Sequence, residues 1–162
     1  MAKLEGGSVD RMAKLEGGSV DEAMGEWHGR GVGTRPFDAL TVAGLRIDAI
    51  EPGRALFSFT VPPRLTNTRK HMHGGAVASL VDLVGSAVIF AGGSPTTGVS
   101  LEITVSYLNA VCANEEIEIE AKVLSIGETT GCVTVEVRRK ATREVLAHGR
   151  HTKYLATIAS KL

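Results

Sequence analysis

The sequence predicts an α+β domain in which a six-stranded antiparallel sheet wraps one long helix. Three observations lead there. The stretch from His71 to Gly93, HMHGGAVASLVDLVGSAVIFAGG, runs apolar for about five helical turns at ~3.6 residues per turn. Two segments before it and four after it carry the period-two alternation of strands. The long helix is the only candidate to cover the apolar face of such a sheet.

The bulk composition fits a single domain. The chain has 162 residues, of which 43% are hydrophobic, enough for an ordinary core. Its 18 basic and 18 acidic residues cancel, so no basic excess calls for nucleic acid or a membrane surface. Aromatic residues make up 4%, too few for base-stacking platforms. Cys112 and Cys132 form neither a zinc framework nor a disulfide scaffold, and read as two semi-buried thiols in a reducing compartment.

Taken in order, the chain begins with a perfect duplication. Residues 1–10 recur as residues 12–21, which marks a duplicated start rather than a structural repeat. Residues 1–11 are therefore set apart, and Met12 is the expected natural start. Residues 12–34 are expected to hold a short helix and a linker. Asp21 caps the helix, and Ala23, Met24 and Trp27 supply its apolar face. Gly29, Gly31 and Gly33 break it, and Pro36 and Phe37 begin a turn into the main domain, residues 35–156. Leu40, Val42, Leu45, Ile47 and Ile50 read as a first strand with a bulge at Ala43-Gly44. Pro52-Gly53 turns the chain, and Ala55 to Val61 forms a second strand that Pro62-Pro63 ends. After the central helix, Gly92-Gly93-Ser94-Pro95 stops the rod. Strands follow at Val99–Leu108, Glu116–Ile126, Gly131–Lys140 and Val145–Leu155, the last three joined by hairpins. An exposed sheet edge favours pairing with a second copy.

The tail, residues 157–162, closes with Ser160-Lys161-Leu162, a peroxisomal address read by an import receptor. The expected location is the peroxisome, with the cytosol as the alternative.

The chemistry centres on Asp82. A helix that is apolar all round is normally buried. A carboxylate there costs several kcal/mol unless it is paired or used. Its neighbours at i±3 and i±4 are Ala78, Ser79, Gly85 and Ser86, none of them a cation. Asp82 therefore reads as a working residue. Gly74-Gly75 at the helix entrance allows a ligand to approach backbone N–H groups, as an oxyanion on a carbonyl requires. It reads equally as a hinge. His73 serves as a cap, a donor to ligand or an acid-base group. Asn67 lies in the preceding loop, where turn chemistry is its ordinary use. Ser100 and Glu102 fall on one face of the next strand, and a buried Ser100 could position a water. No H-E-x-x-H or Cys/His cluster points to a metal. Asp82 lies eight residues beyond Gly74, about 12 Å along the rod. Both can serve one carbonyl only if the site is shared between two protomers.

The run from Asn67 to Gly75, continuing through Ser79-Leu80-Val81-Asp82, resembles the signature of hot-dog-fold acyl-CoA thioesterases, specifically their phenylacetate-type branch. Gly98-Val99-Ser100 and Gly149-Arg150-His151-Thr152-Lys153 extend the resemblance, which covers roughly residues 35–155. It implies a hot-dog fold, dimers that pair into dimers of dimers, and hydrolysis of acyl-CoA to a free acid and coenzyme A with no separate cofactor. It also implies roles. Asp82 activates water and Ser100 orients it. Gly74 N–H and the Asn67 side chain polarise the carbonyl. His73 and Gly75 contact substrate. Coenzyme A phosphate contacts are not identified by the resemblance; Arg138, Arg139, Lys140, Arg143, Arg150 and Lys153 are candidates by charge, and a solvated strand face explains them equally.

Three other readings compete. A hot-dog hydratase or dehydratase needs an Asp paired with a His about one turn away, and no His follows Asp82 on its helix. A non-catalytic acyl-CoA binding module has no need of a buried carboxylate. A membrane span over residues 74–93 is opposed by the central Asp82 and by six strands elsewhere.

Overall fold

A computed structural model describes residues 36–94 and 96–155. The duplicated start, the helix expected around Trp27 and the Ser160-Lys161-Leu162 tail lie outside the described residues.

The described chain runs α1 (Pro36–Val42), β1 (Arg46–Glu51), β2 (Arg54–Thr60), α2 (Gly74–Ala91), β3 (Val99–Tyr107), β4 (Glu116–Ile126), β5 (Thr130–Arg139) and β6 (Val145–Tyr154). A short 3-10 turn at Pro63–Leu65 follows β2. All six strands form one antiparallel sheet in the order β1-β2-β4-β5-β6-β3, and α2 packs against every one of them. This is the predicted architecture. α2 is long and apolar enough to cross a membrane. Here half of it is buried, against the sheet.

The strand predictions hold to within a residue at most ends, except in β1. Residues 36–42, expected as a turn and the start of that strand, are helical instead. The Thr41 hydroxyl donates to the Phe37 carbonyl, and Thr41 and Val42 are buried. The bulge sits between Ile47 and Ala49, not at Ala43-Gly44. The β1–β2 hairpin turns on Pro52-Gly53, with Gly53 at a φ of +79° that a residue with a Cβ seldom adopts.

The core is mainly aliphatic, with two phenylalanines at its centre. Phe57, Phe59, Ile117, Ile119, Val133, Val135 and Val137 point inward from the sheet and are fully buried. Leu80, Val81, Val84, Val88 and Ile89 meet them from α2. Two glycines bring α2 and the sheet unusually close. A Cβ on Gly149 of β6 would lie 2.8 Å from Val81 Cγ1, and one on Gly85 of α2 would lie 2.9 Å from Val133 Cγ2 and 3.1 Å from His151 Nδ1. The outer sheet face carries an ion-pair lattice. Glu120 takes Arg54 at 2.7 Å, Lys122 at 3.1 Å and Arg138 at 3.2 Å. Burial pushes its carboxyl up, but hydrogen bonds from Arg54 and Lys122 outweigh burial and hold it below the usual range.

α2 is not buried all round, contrary to expectation. Ala78, Ser79, Asp82, Leu83, Ser86 and Phe90 form a partly exposed stripe. Beside that stripe runs β3, an edge strand whose Val99, Leu101 and Tyr107 are more than half exposed. A long apolar edge of this kind is a template for another strand.

Candidate active site

Asp82 sits on the open stripe of α2, its side chain 42% exposed. The partners absent from its own helix come from β6 instead. His151 and Lys153 alternate with outward-facing residues on that strand, so both point inward. His151 is fully buried and Lys153 nearly so. Three groups converge on one Asp82 oxygen, Oδ1: the Ser100 hydroxyl at 3.4 Å, His151 Nε2 at 3.5 Å and Lys153 Nζ at 3.8 Å. Oδ2 has no partner among the described residues.

Ser100 reaches this cluster because β3 bulges between Ser100 and Glu102. Ser100 pairs with Lys153 on β6 and turns toward Asp82, exposed rather than buried as expected, while Glu102 pairs with Thr152 and meets Arg150 at 3.6 Å on the outer side. The expectation that Ser100 and Glu102 share a face is thereby corrected. The extra residue is Leu101, 59% exposed.

The proton positions follow from the contacts. With Ser100 donating to Asp82, the 2.8 Å contact between Ser100 Oγ and His151 Nε2 is assigned to a proton on Nε2. His151 Nδ1 is then a bare acceptor, buried and without a partner among the described residues. Protonating it would bury both an unmet donor and a charge. Burial, and next the Lys153 ammonium, push the imidazole down to about 4, against a smaller upward pull from Asp82. Burial likewise pushes the Lys153 ammonium down, with Asp82 opposing. Lys153 donates to Ser86 Oγ at 2.6 Å, and Ser86 donates to the Asp82 carbonyl at 2.8 Å.

This arrangement predicts acid sensitivity. An unfolded histidine titrates near 6.5, whereas His151 titrates near 4 in the fold. Between those values the unfolded chain binds a proton that the native state refuses. Stability should therefore fall as pH drops from about 6.5 to about 4, by up to about 3 kcal/mol. Thermal midpoints across that range check this, with His151→Gln as the comparison. An equal slope in the variant would assign the sensitivity elsewhere.

The helix entrance forms a second cluster. His73 is the N-cap of α2, with Nδ1 accepting the Gly75 N–H at 2.9 Å. That bond occupies Gly75, so of the two glycine N–H groups expected to meet substrate only Gly74 lacks an acceptor among the described residues. Asn67 Oδ1 accepts the N–H groups of Arg69 and His71, at 2.9 and 3.2 Å. This is turn chemistry, and it leaves Nδ2 without a partner among the described residues. Asn67 and Gly74 line one cavity of about 400 Å³ with His71, Val77, Tyr107 and Val137. The Tyr107 hydroxyl donates to the Gly74 carbonyl at 3.0 Å, and its ring lies 3.3 Å from where a Cβ on Gly74 would stand.

Within one chain the two clusters stay apart. Asp82 and Ser100 do not line the cavity of Asn67 and Gly74. All six cations considered for coenzyme A phosphates have partners. Arg138 pairs with Glu118 and Glu136, Arg139 with Glu144, Lys140 with Glu116 and Arg143 with Glu118, Arg150 meets Glu102, and Lys153 is buried beside Asp82. His151 was missed as a site residue, and Lys153 was named only among six candidates by charge. Their signal was available: polar residues in the inward phase of an otherwise apolar strand face. Both cysteines are free, with Cys112 exposed rather than semi-buried. No group of three or more His, Cys, Asp or Glu that could hold a metal occurs among the described residues.

A profile of the thioesterase superfamily matches residues 69–146. Acyl-coenzyme A thioesterase 13 from Homo sapiens is 34% identical over 104 residues, covering 64% of this chain and 74% of the relative. Among solved structures, zebra fish thioesterase superfamily member 2 superposes with a TM-score of 0.70 at 33% identity, over 72% of this chain and 84% of that one. The Mus musculus thioesterase superfamily member 2 gives a TM-score of 0.74 at 26% identity, over 96% and 100%.

Proposed function

The chain belongs to the thioesterase superfamily, and from that premise we propose how it hydrolyses acyl-CoA thioesters to a free acid and coenzyme A. The observation that carries the mechanism is the division of labour between the two oxygens of Asp82. Oδ1 is anchored by Ser100, His151 and Lys153, while Oδ2 is open. Oδ2 takes a proton from water, and that water attacks the thioester carbon. Ser100 orients the water, held in turn by His151. Charge developing on the carbonyl oxygen is met by the Gly74 N–H and Asn67 Nδ2. The tetrahedral intermediate expels the coenzyme A thiolate, and the proton on Asp82 passes to that sulfur. The free edge of His73 faces the leaving group.

The site is shared between two protomers. Gly74 and Asp82 lie about 12 Å apart along α2, too far to serve one carbonyl. The exposed β3 edge and the open stripe of α2 support a homodimer that brings one chain's Asp82 to the other's helix entrance. Pairing of two such dimers into a tetramer rests on the family resemblance alone.

The hydratase reading gains one observation, because His151 lies beside Asp82 after all. Its ring is fully buried and its Nε2 is committed to Ser100, so it is not placed to reach an acyl chain. Thiol release from a panel of acyl-CoAs, fatty and aryl, ranked by kcat/KM, tests the hydrolase. Hydration of an enoyl-CoA without thiol release would reverse the assignment.

A further inference from the structure

We propose that the turn between Asn67 and His71 is the phosphate-binding site for the substrate's coenzyme A, through Arg69 and Lys70. The inference rests on the acyl-CoA reading above and adds the nucleotide end of the ligand.

The first argument is what the other cations are doing. Arg46, Arg54, Lys122, Arg138, Arg139, Lys140, Arg143 and Arg150 each meet a glutamate. Arg64 donates to the carbonyls of Leu40 and Ala43, and Lys153 is buried against Asp82 and Ser86. Arg69 and Lys70 are the cationic side chains with no acceptor among the described residues, and both are exposed.

The second argument is how the turn is built. Asn67 N–H donates to the His71 carbonyl and Lys70 N–H to the Asn67 carbonyl, at 2.7 and 2.9 Å. Asn67 Oδ1 closes the inside of the turn. Outside it, Ala113 N–H donates to the Lys70 carbonyl, and His71 bridges Cys112. Lys70 is held at a φ of +62°, a left-handed conformation that disfavours any residue with a Cβ. Strained backbone persists where its surroundings over-determine it, and it clusters at ligand clamps.

The third argument is position. The two ends of the turn, Asn67 and His71, both line the cavity that Gly74 opens into. A thioester carbonyl on Gly74 and Asn67 would have this exposed turn at the rim of its own cavity. Gly74 lies five residues on from Arg69, a span of at most about 17 Å. A guanidinium and an ammonium there would meet the pyrophosphate or the 3′-phosphate with charge-assisted hydrogen bonds.

The test compares three thioesters of one acyl group, on coenzyme A, on dephospho-coenzyme A and on pantetheine. In Arg69→Gln/Lys70→Gln the preference for acyl-CoA over acyl-pantetheine should shrink about tenfold or more, through KM. Loss already visible with the dephospho compound assigns the pyrophosphate; loss confined to full coenzyme A assigns the 3′-phosphate. An unchanged preference overturns the site. Affinity for free coenzyme A, measured in parallel, separates the two claims. If the wild type hydrolyses none of the three but the variant still binds coenzyme A more weakly, the hydrolase reading fails and the phosphate site stands.

Discussion

Asp82→Asn should lower kcat by about 10²- to 10⁴-fold while the protein stays folded, because an amide cannot take a proton from water. The fold should tolerate the change. The side chain is 42% exposed, and Lys153 keeps its 2.6 Å bond to Ser86 when the carboxylate is gone. Thiol release measures the rate, and a thermal melt verifies the fold. A loss smaller than about tenfold, ~1.4 kcal/mol of barrier, would remove Asp82 from the role of base.

Asn67→Asp should lower kcat by about 10²- to 10³-fold, the usual cost of one oxyanion donor. The substitution is selective. It keeps the oxygen that accepts from Arg69 and His71, so the turn survives, and replaces the donor Nδ2 by a second oxygen. Refolding this variant together with Asp82→Asn tests the shared site directly. In a mixed dimer one site carries both lesions and the other carries neither, so a substantial fraction of wild-type activity should return. Activity no higher than that of either variant alone would place the whole site within one chain.

Most of the fold was legible because each long strand has one wet face. The alternation of Ile117, Ile119 and Ala121 with glutamates gave β4 directly, and the same logic gave β5 and β6. α1 was not legible. Seven residues hold about two turns, and the apolar spacing of Leu40, Val42, Leu45 and Ile47 copies a strand. Asp82 was legible as a charge out of place, and Gly74 as the mouth of a helix. The surroundings of Asp82 were not. Its contacts come from β3 and β6, and which residues of two strands stand opposite depends on a register that the Leu101 bulge shifts. Its exposure was misjudged because a helix apolar on every side does not show which face the sheet leaves open.

The Leu101 bulge has a consequence for how this enzyme can vary. It works as a half-step in the pleat. Residues ahead of Leu101 are out of phase with those behind it, and Ser100 owes its inward view to that offset rather than to its own chemistry. Point substitutions along β3 leave the offset intact, so the strand's outer residues are free to diverge. A single-codon deletion or insertion there would turn the serine to the far side of the sheet, and the lineage would lose the hydroxyl beside Asp82 in one event while the composition of the strand hardly changed.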